Sequence, residues 1–90
     1  MPNEIIRADG TRQAYPPADG QHYTLEELKR AIGGGYIEIV QTRDGRLMVI
    51  DEEGKLKGFP VNPVATALYR FGDQDPIVGD ALVCEDRNIE

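Results

Sequence analysis

The clearest strand signals in the chain lie in residues 33–63, which read GGGYIEIVQTRDGRLMVIDEEGKLKGFPVNP. Residues 36–42 are rich in aromatic and β-branched side chains, which favour strands. Residues 47–50 are apolar throughout, as in a central strand that is buried on both sides. The Asp44-Gly45 pair between them suits a tight turn, because glycine adopts a positive φ angle without strain. We therefore predict a β-hairpin here.

Further strands are expected on both sides of this hairpin. After an acidic turn, a third strand at residues 55–59 would complete an antiparallel meander. Residues 1–20 are predicted to be an extended hairpin segment that turns at Asp9-Gly10, and residues 81–84 a final apolar strand. Residues 85–90 form an acidic tail, which we expect to fray.

Two short helices complete the prediction. Thr24 and Glu27 have the spacing of a capping box, which predicts a helix at residues 25–32 that ends at a run of three glycines. Asn62 is a good N-cap for a second helix, and Pro63 suits its first position because the missing N–H has no partner to lose there.

The chain is therefore predicted to be one α+β domain, residues 1–90, with a small, mostly antiparallel sheet made of the meander and the terminal strands. A chain of this length buries only about 60% of the surface of its unfolded form, so the sheet needs helices to cover it. We expect both helices to cover one face of the sheet. The single core would then contain these apolar residues: Leu25, Leu28, Ile32, Ile37, Ile39, Val49, Val64, Leu68 and Val83.

Charge limits the classes of partner. The net charge is −6, from 16 acidic and 10 basic residues. Binding to nucleic acid or to an anionic membrane needs basic side chains, so we expect neither. A protein with a basic surface would be attracted instead. The single cysteine, Cys84, and the lack of an apolar leader or membrane-spanning run predict a soluble protein of the reducing cytoplasm.

No signature of catalysis or of metal binding is complete in this sequence. It contains no serine, one histidine (His22) and one cysteine, so a serine triad and a structural zinc site are excluded. The three glycines follow a helix, whereas a phosphate-binding loop has its glycines before one. The acidic residues lack the spacing of a calcium-binding loop. We predict no enzyme, no metal and no cofactor.

Two groups of residues remain as candidate sites. Acidic side chains in turns could contact a basic partner if they share a face; this group is Asp51, Glu52, Glu53, Asp73, Asp75 and Asp80. Aromatic side chains beside loops suit ligand recognition, and with the glycine loop they form a second group. Its members are Tyr15, His22, Tyr23, Gly34 and Gly35.

The order of several short motifs resembles the family called domain of unknown function 3846. These motifs are LEEL at 25–28, GGYIE at 34–38, DEEGKL at 51–56, PVNP at 60–63 followed by AT at 65–66, and IVGD at 77–80. The resemblance covers residues 9–84. It implies a small protein carried by phages, plasmids or other mobile elements, and it implies no active site.

We predict one function from the sequence and keep one alternative. The first is a non-enzymatic protein of a mobile element that binds a host or element-encoded protein with a basic surface, as an inhibitor or modulator of a nucleic-acid-handling or defence system. The alternative is a protein that binds a small, nucleotide-like signal, at a pocket between two protomers. An exposed strand edge would allow a homodimer in either case.

Overall fold

The computed structural model describes residues 3–89 and confirms an α+β fold with an antiparallel sheet and two short helices. The sheet has the order β2-β1-β5-β4-β3. The elements are β1 (Glu4–Ile6), β2 (Arg12–Ala14), α1 (Leu25–Ala31), β3 (Ile37–Gln41), β4 (Leu47–Asp51), α2 (Pro63–Leu68) and β5 (Ala81–Cys84), followed by a 3-10 turn at Asp86–Asn88.

The last strand, β5, lies in the middle of the sheet. The chain forms the β1–β2 hairpin, α1, the β3–β4 hairpin and α2, and β5 then enters between β1 and β4. Leu82 lies opposite Ile5 on one side and opposite Val49 on the other. All four residues of β5 are buried, which explains why its sequence is apolar on both faces.

The two helices cover opposite faces of the sheet, so the prediction that both cover one face is wrong. Leu28 of α1 packs in a cluster with Val49 and Leu82, whereas Ala65 of α2 packs in a separate cluster with Met48 and Val83. Neighbouring residues in a strand point to opposite faces. Strands that are apolar at consecutive positions therefore need cover on both faces. We call these the α1 face and the α2 face.

The predicted helix starts are confirmed. The Thr24 hydroxyl accepts a hydrogen bond from the Glu27 amide, and the Glu27 carboxylate accepts one from the Thr24 amide, which completes the capping box. Asn62 caps α2 by accepting a hydrogen bond from the Ala65 amide, and Pro63 occupies the first turn. These signals lie within four residues of each other, so they are readable from sequence.

Two further predicted features differ from the structure. Residues 55–59 form turns and no strand, with Lys57 N–H donating to the Glu53 carbonyl. The reason is that β3 and β5 pair with the two sides of β4, so β4 has no free side for the third strand of a meander. Residues 85–89, expected to be part of a frayed tail, contain the 3-10 turn, and Asn88 is buried. Glu90 lies outside the described residues.

Candidate functional site

The two tyrosines proposed for ligand binding belong to the core of the α1 face. The rings of Tyr15 and Tyr23 stack with their centroids 5.9 Å apart. The Tyr23 hydroxyl donates to the Tyr15 carbonyl, and the Tyr15 hydroxyl donates to the Glu27 carbonyl at 2.7 Å. Burial raises the pKa of Tyr23 to about 12, so this phenol stays neutral. Both rings fix the loop before α1 to the domain.

The remaining residues of that group lie in different surroundings. His22 lines a shallow groove together with Gly20, Gln21, Arg87 and Asn88. Gly34 and Gly35 have positive φ angles after the end of α1. A Cβ atom at Gly35 would lie 2.7 Å from the Lys57 amine and 3.0 Å from a carboxylate oxygen of Asp51. The two tyrosines, His22 and the two glycines therefore lie in three different surroundings.

Most of the acidic group is paired with cations. Asp51 pairs with Lys57 at 2.7 Å, and Asp80 pairs with Arg7 at 2.9 Å. Two further ion pairs are Asp73–Arg43 and Asp75–Lys55. These contacts offset much of the negative charge of the turns. Four of the six predicted residues thus have a cationic partner, and for the more buried Asp51 and Asp80 the contact has a local structural role.

Asp80 shows this role most clearly. One carboxylate oxygen accepts from Arg7, and the other accepts from the Ala8 amide at 3.1 Å. Arg7 also donates to Gln13 at 2.7 Å. Asp80 therefore ties the approach to β5 to the hairpin of β1 and β2, as expected of a carboxylate that satisfies a turn.

A small cleft of about 130 Å³ opens on the α2 face, beside β3 and β4. Its apolar lining includes Val40, Ile50 and Ile77, which also pack in the core of that face. Acidic residues share the lining: Glu38, Asp51, Glu52 and Asp75, with Lys55 as the basic one. The Asp51 carboxylate itself is buried against Lys57. The cleft therefore brings together Asp51, Glu52 and Asp75 of the predicted acidic group.

Glu38 was not among the predicted site residues. It lies opposite Ile50 in the β3–β4 hairpin, and the Glu52 amide donates to the Tyr36 carbonyl at 2.9 Å. Glu38 and Glu52 are therefore diagonal neighbours on the α2 face, a relation that corresponds to roughly 7–8 Å between Cα atoms. The turn at Asp44-Gly45 fixes this register, so the signal was present in the sequence.

Glu38 and Glu52 are also the unpaired acids of the cleft. Among residues 3–89, neither carboxylate forms an ion pair, whereas Asp51 and Asp75 each have a lysine. Both Glu38 and Glu52 are exposed. Like charges at such short range repel each other, so this part of the surface attracts cations.

Metal sites, membrane-spanning helices and reactive thiols each have their own structural requirements. Within residues 3–89, no group of three or more His, Cys, Asp or Glu side chains could hold a metal ion. No helix in the same part of the chain is long and apolar enough to cross a membrane. Cys84 is buried in β5, and burial raises the pKa of its thiol to about 11, so it is a poor nucleophile.

Comparison with known proteins places the chain by family. No curated protein and no solved structure matches it. A family model described as Domain of unknown function (DUF3846) matches residues 4–90, which extends the motif resemblance at residues 9–84 to almost the whole chain. Since this match includes every strand and both helices, the chain belongs to the DUF3846 family.

Proposed function

We propose that the protein is a non-enzymatic binding protein of the cytoplasm that captures a protein partner through the acidic cleft on the α2 face. The observation that carries the proposal is the pair Glu38 and Glu52. These two carboxylates are neighbours, exposed and without a cation among the described residues. A lysine or arginine of a partner would relieve their repulsion.

The shape of the cleft supports a protein partner. Its volume of about 130 Å³ is small compared with the roughly 300–1,000 Å³ of a typical small-molecule pocket. It can hold the end of one side chain. Val40 and Ile50 could contact the methylene groups of a lysine, while the acidic rim binds its ammonium group.

The resemblance of the motif order suggests that the gene is carried by a phage, a plasmid or another mobile element. On a phage or plasmid, a small acidic protein that occupies a basic surface would inhibit or modulate a host system that handles nucleic acid. Such systems bind phosphate through lysine and arginine, and carboxylates compete for the same groups. The class of partner that we propose is therefore a host or element-encoded protein with a basic surface.

The test is a pull-down from host lysate at low and at high salt, with matched variants. The double variant Glu38→Gln/Glu52→Gln removes the two unpaired charges of the cleft. The control Glu26→Gln/Asp86→Asn removes the same net charge from residues that do not line the cleft. We expect one stoichiometric partner, lost at high salt and with the cleft variant but kept by the control.

Two outcomes would count against the proposal. Equal retention by both double variants would show that net charge, and not the cleft, attracts the partner. If no protein is retained at either salt concentration, capture of a protein is ruled out as the function. Mass spectrometry of the purified protein would then test the alternative, a small nucleotide-like ligand at a dimer interface.

A further inference from the structure

One edge of the sheet carries unused backbone hydrogen-bonding groups. Among the strands of residues 3–89, β3 pairs with β4 alone, so its other side is an edge of the described sheet. The Tyr36 carbonyl and the Thr42 amide bond to the β4 side of the hairpin. Because backbone direction alternates along a strand, Ile37, Ile39 and Gln41 direct their N–H and C=O groups away from β4.

The far end of this edge is already covered. The Arg70 amide donates to the Gln41 carbonyl at 3.0 Å, and the Arg43 amide donates to the Leu68 carbonyl at 2.8 Å. In contrast, no group in residues 3–89 bonds to the outward amides and carbonyls of Ile37 and Ile39. The open edge therefore offers two donors and two acceptors, next to a closed end that limits where a strand can add.

The side chains on the open edge differ between its two faces. Ile39 is 42% exposed and lies on the α1 face with Ile37, so this side is apolar. Glu38 lies on the α2 face and lines the acidic cleft with Glu52. An added strand would therefore meet apolar side chains on one face and carboxylates on the other.

The opposite edge of the sheet has the features that normally prevent strand addition. β2 has three residues, Arg12–Ala14, all exposed and two of them polar. Short, polar edges resist pairing with other chains, whereas an apolar edge with free backbone groups invites it. The open edge of β3 is the more favourable template.

We propose that residues 37–39 bind an extended segment of the partner by antiparallel strand addition, with apolar residues on the α1 face and lysine or arginine on the α2 face. This inference rests on the proposed function, because it assigns the binding mode of the same partner. Two hydrogen bonds to Ile37 and two to Ile39 would fix the register. The basic residue between them would then lie opposite Glu38.

Charge argues against a second copy of the chain as the occupant. A second β3 that used only the free groups would pair Ile37 with the second copy's Ile39. That register places Glu38 directly opposite the second copy's Glu38. Like charges in directly opposed positions destabilise a pair of strands, whereas opposite charges stabilise it. The edge therefore selects a basic strand over its own sequence.

The probe for this inference is a synthetic peptide of about six residues, the common length of a strand, in which valine and lysine alternate. A valine–glutamate peptide of the same length is the charge control. Amide hydrogen exchange is followed by NMR at each backbone position. We expect the lysine peptide to slow exchange at Ile37 and Ile39 by roughly tenfold or more, and the glutamate peptide to have no effect.

Variants separate the backbone contribution from the charge contribution. Ile39→Pro removes one outward donor, and proline is tolerated at edge positions whose N–H faces solvent. It should abolish protection at Ile37, while the far-UV spectrum stays native. Glu38→Gln/Glu52→Gln should weaken binding of the lysine peptide by roughly fivefold to tenfold and leave the pattern of protected amides unchanged.

The outcomes distinguish this inference from the proposed function. If the lysine peptide binds in a way that needs Glu38 and Glu52 but protects neither amide, strand addition is wrong and the acidic cleft stands. If Ile37 and Ile39 become protected without peptide as protein concentration rises, the occupant is a second copy and the inference is overturned. If no protection appears at millimolar lysine peptide, strand addition is also overturned.

Discussion

Asp51 and Lys57 form an ion pair with 2.7 Å between Oδ2 and Nζ, in which the Asp51 side chain is 3% exposed and the Lys57 side chain 38%. The other Asp51 oxygen accepts from the Glu53 amide at 2.8 Å. Gly35 lies against this pair, and a Cβ atom there would lie 2.7 Å from the Lys57 amine, so the pair would have to shift. The pair therefore joins the end of β4 to the turns that follow it and to the loop after α1.

Removal of Lys57 should destabilise the fold, because it leaves the buried Asp51 carboxylate without its cation. For Lys57→Met we expect a decrease of about 1–3 kcal/mol in the free energy of unfolding, less than for a fully buried pair because Lys57 reaches solvent. Lys55→Met is the matched control, since the Lys55–Asp75 side chains are 59% and 51% exposed. It should cost less than about 1 kcal/mol. If urea unfolding showed equal losses of unfolding free energy for Lys57→Met and Lys55→Met, the prediction would be contradicted.

Asn62 should tolerate aspartate poorly, although aspartate caps exposed helices as well as asparagine does. The Asn62 side chain is fully buried, and its amide group donates to the Ile6 and Gly79 carbonyls, each at 2.9 Å. Aspartate keeps the acceptor for the Ala65 amide but places a carboxylate against both carbonyl oxygens. We expect Asn62→Asp to cost about 2–4 kcal/mol.

Asn62→Ala provides the comparison for this prediction. Asn62→Ala removes the cap and both donors but adds no charge. Asn62→Asp should therefore be at least as unstable as Asn62→Ala in thermal or urea unfolding near neutral pH. An Asn62→Asp variant as stable as the native protein would show that the two donated hydrogen bonds contribute little. The cap would then be the main role of this residue.

The features that sequence predicted are those whose cause is local. The capping box of Thr24 and Glu27, the Asn62-Pro63 start and the Asp9-Gly10 turn each depend on residues within a few positions of one another. The insertion of β5 between β1 and β4 depends on contacts between distant parts of the chain. Its signal was the apolar pair Leu82-Val83, which needs cover on both faces of the sheet.

The candidate site was predictable only in part, for the same reason. Asp80 meets Arg7 because β1 and β5 are neighbours, and Asp73 meets Arg43 because the segment after α2 contacts the end of β3. Sequence could not show that these acids are neutralised, because both contacts join distant parts of the chain. In the sequence, Glu38 has only the pattern of a residue on the solvent side of one strand. Its closeness to Glu52 requires the register of the hairpin as well.

Protonation of Asp44 should make the fold less stable in acid. Hydrogen bonds from the Arg46 guanidinium, and then from the Thr42 hydroxyl, hold the pKa of Asp44 well below its usual value of 3.8. A lowered pKa in the folded state stabilises the protein above the unfolded pKa, and this contribution is lost as the pH falls through the folded pKa. Asp44→Asn should therefore be less stable than the native protein above pH 3.8. The gap between the two proteins in free energy of unfolding should close at lower pH.

The measurement for Asp44 is urea unfolding of both proteins at a series of pH values. Because the Asp44 side chain is about half exposed, we expect a gap of only about 1 kcal/mol near neutral pH. Asp73→Asn is a control in which the carboxylate is almost fully exposed, and its gap should be smaller. A gap for Asp44→Asn that stays constant down to the lowest pH would rule out titration of this carboxylate as the cause.

Cys84 should report on opening of the whole sheet. It is the only cysteine of the chain, is fully buried in the central strand, and its thiol has a pKa raised to about 11 by burial. A thiol reagent at pH 8 should therefore react only with molecules that have opened. Lys57→Met should speed labelling by the factor that corresponds to its loss of stability, roughly tenfold for each 1.4 kcal/mol. Labelling at one rate in both proteins would mean that Cys84 is reached by a local opening of β5 that leaves the Asp51–Lys57 pair intact.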